Sequence, residues 1–376
     1  MIELAGLNTK NKGAQLMLEA IREHYISNGR AVEFAADSTF GSDFDLGENR
    51  LHHMLRARRP GRSWLVAHVS SRTLRKKLGL AIETDARALL DASGFAFGSP
   101  HPDQRLERFA SLVLRYGRAG KPVVMLPQAF GRFDSESSRR AFRLVSKVAT
   151  RIYARDPVSL ANAEQALGGP NPVLRQAPDI TLALKPLPEE MIGELDRACI
   201  VPNVRMHTEA PDADSRAAYL PFLAAAVRAV ESTGSQAVLL IHDRGDEALC
   251  DALDRLLGNP LQRIEHADPI RLKQEIGRSR LVIGSRFHAI VSAISQGVPV
   301  VATSWSHKYE MLLAEFGCAD SLFAPTDVDI DSLSERIRNL MGPRSAGERL
   351  ALKSRAESLR GELAAMWADV DEAFDG

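Results

Sequence analysis

Three side chains suited to anion and proton chemistry lie within one short stretch of the sequence, Leu281 to Tyr309 (LVIGSRFHAIVSAISQGVPVVATSWSHKY). Arg286 carries a planar fork that matches a carboxylate or a phosphate. His288 carries an imidazole, which holds or releases a proton near neutral pH. Lys308 adds an ammonium. The elements around them are legible. Leu281-Val282-Ile283 is an apolar run short enough for a buried strand. Gly284 and Ser285 break the run, and Ser285 is expected to cap the next helix. Ala289, Ile290, Ala293 and Ile294 follow at helical spacing. Gly297 stops that helix, and Val298 to Ala302 reads as the next strand. Such a strand–helix–strand unit builds a parallel sheet, and ligands bind beyond the carboxyl ends of its strands. Arg286 and His288 fall there, in a first helical turn whose N–H groups and dipole favour an anion. Lys308 follows the second strand at the same edge. The stretch predicts an anion pocket that holds a titratable imidazole.

The run Gly284-Ser285-Arg286-Phe287-His288-Ala289, then Gly297-Val298-Pro299-Val300, then Lys308, resembles the C-terminal signature of the polysaccharide pyruvyl transferase family. Those enzymes move the enolpyruvyl group of phosphoenolpyruvate onto a sugar as a ketal or an enol ether. Their fold is similar to the two-domain GT-B glycosyltransferases. The resemblance implies His288 as the catalytic residue, with Arg286 and Lys308 in the phosphoenolpyruvate site. Other segments extend it. Arg205 resembles the arginine after the first strand of the second half. Asn11 and Gly13 resemble the opening N-x-G-D pattern, with Ala14 where an acid is usual. Gly94 to Gly98 is similar to a glycine-rich strand end. Pro127 to Gly131 resembles a G-Q-x-x-G turn in which Gln128 would meet a ligand. Arg155-Asp156-Pro157-Val158-Ser159 is similar to R-D-x-x-S; Arg155 suits ligand contact or an ion pair with Asp156 or Asp179 equally, and Ser159 would cap or open a helix.

Composition narrows the classes. The 376 residues are 45% hydrophobic and 26% charged, as in ordinary globular proteins. Basic and acidic residues balance at 48 each, so nothing global argues for nucleic acid. The cysteines, Cys199, Cys250 and Cys318, are too far apart for a zinc site and odd in number, which suits a reducing cytosol. No signal peptide or membrane-spanning run is expected, and the reading is cytoplasmic. No metal-ligand cluster is legible, so metal and cofactor independence is expected.

Alternating strand and helix signals predict an α/β chain of two doubly wound, Rossmann-like domains facing a cleft, GT-B-like. They are expected at residues 1–187, on the acceptor side, and 188–376, binding the donor. Lys185-Pro186-Leu187-Pro188 reads as the linker, because two prolines stiffen it. A long helix from about Arg344 to Ala373 closes the chain and is expected to pack back on the first domain. In the second half, the strand Ala198 to Val204 should end in Arg205, and Val238 to Ile241 in His242-Asp243, a pair suited to orienting and hydrogen bonding. Residues 37–90 are hard to read. From Arg50 to Leu80 they hold nine Lys or Arg (Arg50, Arg56, Arg58, Arg59, Arg62, Arg72, Arg75, Lys76, Lys77) and no acid. The segment from Arg50 to Lys77 suits an anionic acceptor such as a lipid-linked sugar, or peripheral contact with anionic lipid at the inner face of the cell membrane.

Phosphoenolpyruvate carries a carboxylate and a phosphate, and Arg205, Arg286 and Lys308 would supply the cations for both. His288 would act as acid and base. The helix dipole lowers its pKa and bound anions raise it, which together set a poise near neutrality. Two other readings stand beside this one. A GT-B glycosyltransferase would use the same basic strand ends for a nucleotide sugar. A non-catalytic binder of carbohydrate or lipid carrier would not need His288.

Overall fold

The computed structural model describes residues 1–56, 70–208, 210, 212–304 and 306–375. The chain divides into two compact units. The first comprises Met1–Lys10, Met17–Ile180 and Glu362–Gly376; the second comprises Asn11–Leu16 and Thr181–Gly361.

Among the described residues, the first unit holds a nine-stranded parallel sheet. Its strands are β1 (Ile2–Ala5), β2 (Phe34–Ala36), β3 (His52–Met54), β4 (Leu80–Ala81), β5 (Ala88–Asp91), β6 (Phe95–Phe97), β7 (Val123–Phe130), β8 (Arg151–Ala154) and β9 (Leu174–Gln176). The order is β4-β3-β2-β1-β5-β7-β8-β9, with β6 alongside β7. The chain steps one way from β1 to β4 and the other way from β5 to β9. Right-handed crossovers therefore send the two sets of helices to opposite faces. Strands β5 and β7 are buried throughout, and both carry polar residues inside the sheet, Asp91 and Gln128.

Two expectations change here. Pro127 to Phe130 is not a turn after a strand; β7 continues through it, buried at all eight positions. The pairing of β7 with β8 shifts register between Met125 and Gln128, which accommodates the N–H that Pro127 lacks. The segment Lys185 to Pro188 is not a free linker. Leu187 is buried and its N–H donates to Gln296 Oε1 at 3.1 Å, inside the second unit. Its apolar side chain gives it a reason to pack that its two prolines do not reveal.

The second unit has a parallel sheet ordered β12-β11-β10-β13-β14. These strands are β10 (Leu195–Val201), β11 (Gln236–Leu240), β12 (Gln262–Ile264), β13 (Ser279–Gly284) and β14 (Val300–Ala302). The direction of winding reverses between β10 and β13. Gly284 allows this pair to close: a Cβ there would lie 2.2 Å from the carbonyl oxygen of Val201. The helix Phe287–Ile294 is apolar nearly all round and almost wholly buried, as its composition requires.

The final helix, Ala346–Asp375, is 30 residues long, about 45 Å at 1.5 Å per residue. It is less polar than its sequence suggests. Leu352, Ala356, Leu359, Leu363, Met366, Val370 and Phe374 form a buried stripe at spacings of three and four. Its residues from Glu362 onward belong to the first unit. There Trp367 stacks on His24, with ring centroids 4.2 Å apart, and Asp369 Oδ1 accepts from Arg151 Nε at 2.8 Å.

Candidate active site

The second unit's sheet brings the predicted cations and imidazoles to one edge. β10, β11, β13 and β14 all run the same way, and the segments after their carboxyl ends carry Arg205, His242 and Asp243, Arg286 and His288, and Lys308 respectively. The reversal between β10 and β13 lies in the middle of this edge, where open α/β sheets bind ligands.

Arg286 is the best-anchored residue of the group. It is 7% exposed. Its Nε donates to Asp246 Oδ2 at 2.9 Å, and its Nη2 donates to Asp246 Oδ1. Its Nη1 lies 3.5 Å from Asp243 Oδ2. The fork expected to meet a ligand is thus already closed on a carboxylate. Burial opposes the charge on Arg286, but Asp246 outweighs it and holds the guanidinium protonated. Burial likewise pushes the Asp246 carboxyl up, against the pull of Arg286. Asp246 was not a sequence candidate. Its signal was there: it ends the run His242-Asp243-Arg244-Gly245-Asp246 directly after a strand.

Ser285 does not cap the helix. Arg286 holds the N-cap position, without a side-chain cap bond. Ser285 instead shares a hydrogen bond with the Tyr219 hydroxyl at 2.7 Å. Its carbonyl accepts from Tyr309 Oη at 2.6 Å and from Asn203 Nδ2 at 2.5 Å. These bonds lock the backbone one residue before Arg286.

His288 is half-buried and lies edge-on to Phe287, with centroids 5.3 Å apart. It also lies against Gly13, in the first turn of the helix Lys12–Ser27. A Cβ on Gly13 would sit 2.1 Å from His288 Nδ1. Glycine is needed there because the imidazole occupies the space. Asn11 Oδ1 accepts the Gly13 N–H at 2.9 Å, so Asn11 caps this helix. Two helix N-termini therefore meet at His288, and both favour negative charge. Lys12 belongs to the same cluster. Its ammonium donates to Gln15 Oε1 at 3.0 Å and to the Ala267 carbonyl. Burial, with the charge of Arg244, holds its pKa below the usual lysine range.

His242 is 2% exposed, and its Nδ1 has no hydrogen-bond partner among the described residues. Burial holds its pKa well below the imidazole range, and the charges of Arg286, His288 and Lys12 act in the same direction. It is neutral at pH 7. Asp243 Oδ1 accepts from Gly245 N at 3.0 Å and opens the short turn that leads to Asp246. Lys308 is buried, with Nζ 5.2 Å from the Phe287 ring centroid and 5.3 Å from that of Tyr309. Arg205 is not a strand end. β10 stops at Val201, and Arg205 lies in the short helix Val204–Thr208, its N–H donating to Asn203 Oδ1 at 3.1 Å.

The remaining candidates lie in the first unit, each held by protein. Gln128 is fully buried, and its Nε2 donates to Asp91 Oδ2 at 2.8 Å. Asp91 ends β5, where the winding of that sheet reverses, and it also accepts from Ser93 Oγ at 2.6 Å. Burial pushes Asp91 up to about 6, although both hydrogen bonds pull it down. Arg155 Nη1 donates to Asp179 Oδ2 at 2.9 Å in a buried ion pair, the structural alternative weighed for it. Asp156, not Ser159, caps the helix Pro157–Leu167.

The basic stretch is partly neutralised by distant acids. Arg56 bonds Glu3, Asp37 and Glu83, Arg75 forks onto Asp85 at 2.9 and 2.7 Å, and Lys76 lies 2.5 Å from Glu33. The helix Arg72–Lys77 immediately precedes β4, at the amino edge of the sheet. Open parallel sheets bind ligands at the other, carboxyl edge. Arg58, Arg59 and Arg62 lie outside the described residues.

The family model of the polysaccharide pyruvyl transferases matches residues 11–307, well over half the chain, from the Asn11 cap to the residue before Lys308. The chain belongs to the polysaccharide pyruvyl transferase family. It is a transferase, and the matched span contains the whole His288 cluster except Lys308. No curated protein matches the sequence. Among solved structures, spinosyn rhamnosyltransferase SpnG aligns over 100% of this chain and 99% of its own, at 16% identity and TM-score 0.52. Trehalose-6-phosphate synthase OtsA aligns over 98% of each chain, at 11% identity and TM-score 0.55. A putative UDP-N-acetylglucosamine 2-epimerase from Listeria monocytogenes aligns over 99% and 96%, at 13% identity and TM-score 0.54. At these identities the likeness is one of fold: this pyruvyl transferase is GT-B-like, with two Rossmann-like domains. Among the described residues, no helix is long and apolar enough to cross a membrane.

Proposed function

We propose that this pyruvyl transferase moves the enolpyruvyl group of phosphoenolpyruvate onto hydroxyls of a glycan or lipid-linked sugar, forming a pyruvate ketal and releasing phosphate. The observation that carries the reading is the seat of His288: an imidazole where two helix N-termini meet, on a sheet edge that also carries Arg205, Arg286 and Lys308, with Lys12 of the facing helix beside it. Such an edge suits a small ligand with a carboxylate and a phosphate. His288 protonates the methylene carbon of the donor, and positive charge develops at the carbon bearing the phosphate. A first acceptor hydroxyl adds there and gives up its proton to the imidazole. The C–O bond to phosphate then breaks, and a second hydroxyl closes the ketal, its proton passing to the departing phosphate. The cations hold the donor and the departing phosphate, and the carboxylate of the donor stabilises the cationic centre. The reaction as proposed takes phosphoenolpyruvate as a substrate and runs without a metal or cofactor, in the cytoplasm where that donor is made.

The test is incubation of the purified enzyme with phosphoenolpyruvate and candidate lipid-linked sugars, read by mass spectrometry and by phosphate release. His288→Ala should lower turnover by roughly a hundred- to ten-thousand-fold, the usual effect of losing a positioned acid or base. Donor affinity, followed by calorimetry, should stay close to that of the unaltered enzyme. Stabilisation by a nucleotide sugar and not by phosphoenolpyruvate would reject the proposal in favour of glycosyl transfer. Normal turnover by His288→Ala would reject the assigned mechanism.

A further inference from the structure

We infer that Asp246 is a positioning residue for pyruvyl transfer, holding Arg286 and the loop that carries His288 in their working arrangement. The inference rests on the proposed function. Asp246 is fully buried and accepts three hydrogen bonds: two from Arg286, through Nε at 2.9 Å and through Nη2, and one from Val204 N at 2.9 Å. The acceptor and its donors come from different strand ends. Val204 follows β10, Asp246 follows β11, and Arg286 follows β13. The three strands are neighbours in the order β11-β10-β13, across the point where the winding reverses. One carboxylate therefore ties together three loops of the candidate site, and one of those loops places His288 two residues beyond the arginine it grips.

The grip also selects which edge of the arginine remains for a ligand. Nε and Nη2 are committed to Asp246. Among the described residues, Nη1 has the Asp243 carboxylate at 3.5 Å, beyond a good hydrogen bond. An incoming anion would compete with Asp243 for that nitrogen while Asp246 keeps the guanidinium plane fixed. Buried ion pairs of this kind add less to stability than to uniqueness of geometry in some systems. A geometric role fits a pair placed at a site better than a purely stabilising one.

The test is a double-variant cycle with Asp246→Asn, Arg286→Gln and the pair together, read by steady-state kinetics and by thermal unfolding. Asp246→Asn keeps the size of the side chain and one acceptor oxygen. It should lower kcat on the order of a hundred-fold, as expected for a reacting group displaced by about 1 Å. KM for phosphoenolpyruvate should change less than about threefold, because Arg286 remains. The double variant should be no slower than Arg286→Gln alone within about threefold, since an anchor has no effect without the residue it anchors. A double loss equal to the product of the single losses would overturn the inference, as would an unchanged kcat for Asp246→Asn. Unfolding decides the anchor without any substrate: the double variant should lose less thermal stability than the two single losses combined. An additive loss would overturn it. If the unaltered enzyme does not turn over phosphoenolpyruvate, the proposed reaction fails while the unfolding cycle still reports on the anchor.

Discussion

At the scale of single residues, Gly13 and Asp91 have consequences that can be measured. Gly13 leaves room for an imidazole, with 2.1 Å between its would-be Cβ and His288 Nδ1. Gly13→Ala should therefore displace the ring and lower turnover roughly a hundred-fold. The same change favours the helix by up to about 1 kcal/mol, which offsets part of the cost of moving the ring, so thermal stability should fall far less than turnover. Activity and unfolding midpoints measured together check this; unchanged turnover would show that the ring is not the reacting group. Asp91 concerns pH. Its folded value of about 6 lies above the ordinary value of 3.8 for this carboxyl. A raised folded pKa stabilises below the unfolded value, and that stability is lost as pH rises through the folded one. The first unit should thus lose stability between about pH 4 and pH 6, by roughly 3 kcal/mol for this buried group. Asp91→Asn should flatten that window, because an amide does not titrate, and the fold should tolerate it, because the amide can donate to Gln128 Oε1, which is buried and has no partner among the described residues. Urea unfolding at several pH values measures it, and an unaltered pH dependence would reject the assignment.

At the scale of elements, the final helix is the clearest case of a segment whose role exceeds its sequence signal. Its last turns give the first unit a buried Trp367 against His24 and a carboxylate, Asp369, shared by Arg151, Arg175 and Tyr153. Trp367→Ala should destabilise that unit by about 3–5 kcal/mol, the usual range for emptying a buried aromatic site. Tryptophan-independent unfolding, followed by circular dichroism in urea, is the measurement. A loss under 1 kcal/mol would mean that the helix end docks weakly. The contrast with the helix Phe287–Ile294 is physical. That helix is apolar nearly all round and declares its burial, whereas the final helix hides a stripe of about one residue per turn among charges.

At the scale of the whole molecule, zero net charge conceals a basic surface at the amino edge of the first sheet. Arg72 and Lys77 are exposed there on one short helix, beside Leu74 and Leu78, which are 48% and 59% exposed. Cations flanking exposed leucines suit an anionic lipid surface. This face would rest on the membrane when the acceptor is lipid-linked. Sedimentation with vesicles containing phosphatidylglycerol should retain the protein more than vesicles of phosphatidylcholine alone. Arg72→Ser with Lys77→Ser should weaken that retention several-fold, at about 1 kcal/mol per cation. Equal retention by both kinds of vesicle would reject the idea.

The sequence by itself determined the parallel α/β class, the GT-B-like pairing of two Rossmann-like domains, the family, and the edge on which Arg286, His288 and Lys308 lie. These follow from local order: an apolar run, a glycine break and a helical repeat fix which residues come after a strand, and parallel strands put such residues at one edge. Tertiary structure alone decided what those residues touch. Arg286 closes on Asp246, forty positions away; His288 packs on Gly13; Gln128 turns to Asp91; Arg155 turns to Asp179. The basic stretch read as one patch because its acids, Glu3, Glu33, Asp37, Glu83 and Asp85, lie outside it along the chain. Pairing of this kind depends on strand order and on close approach between distant segments. Neither leaves a periodic trace in the residues that take part.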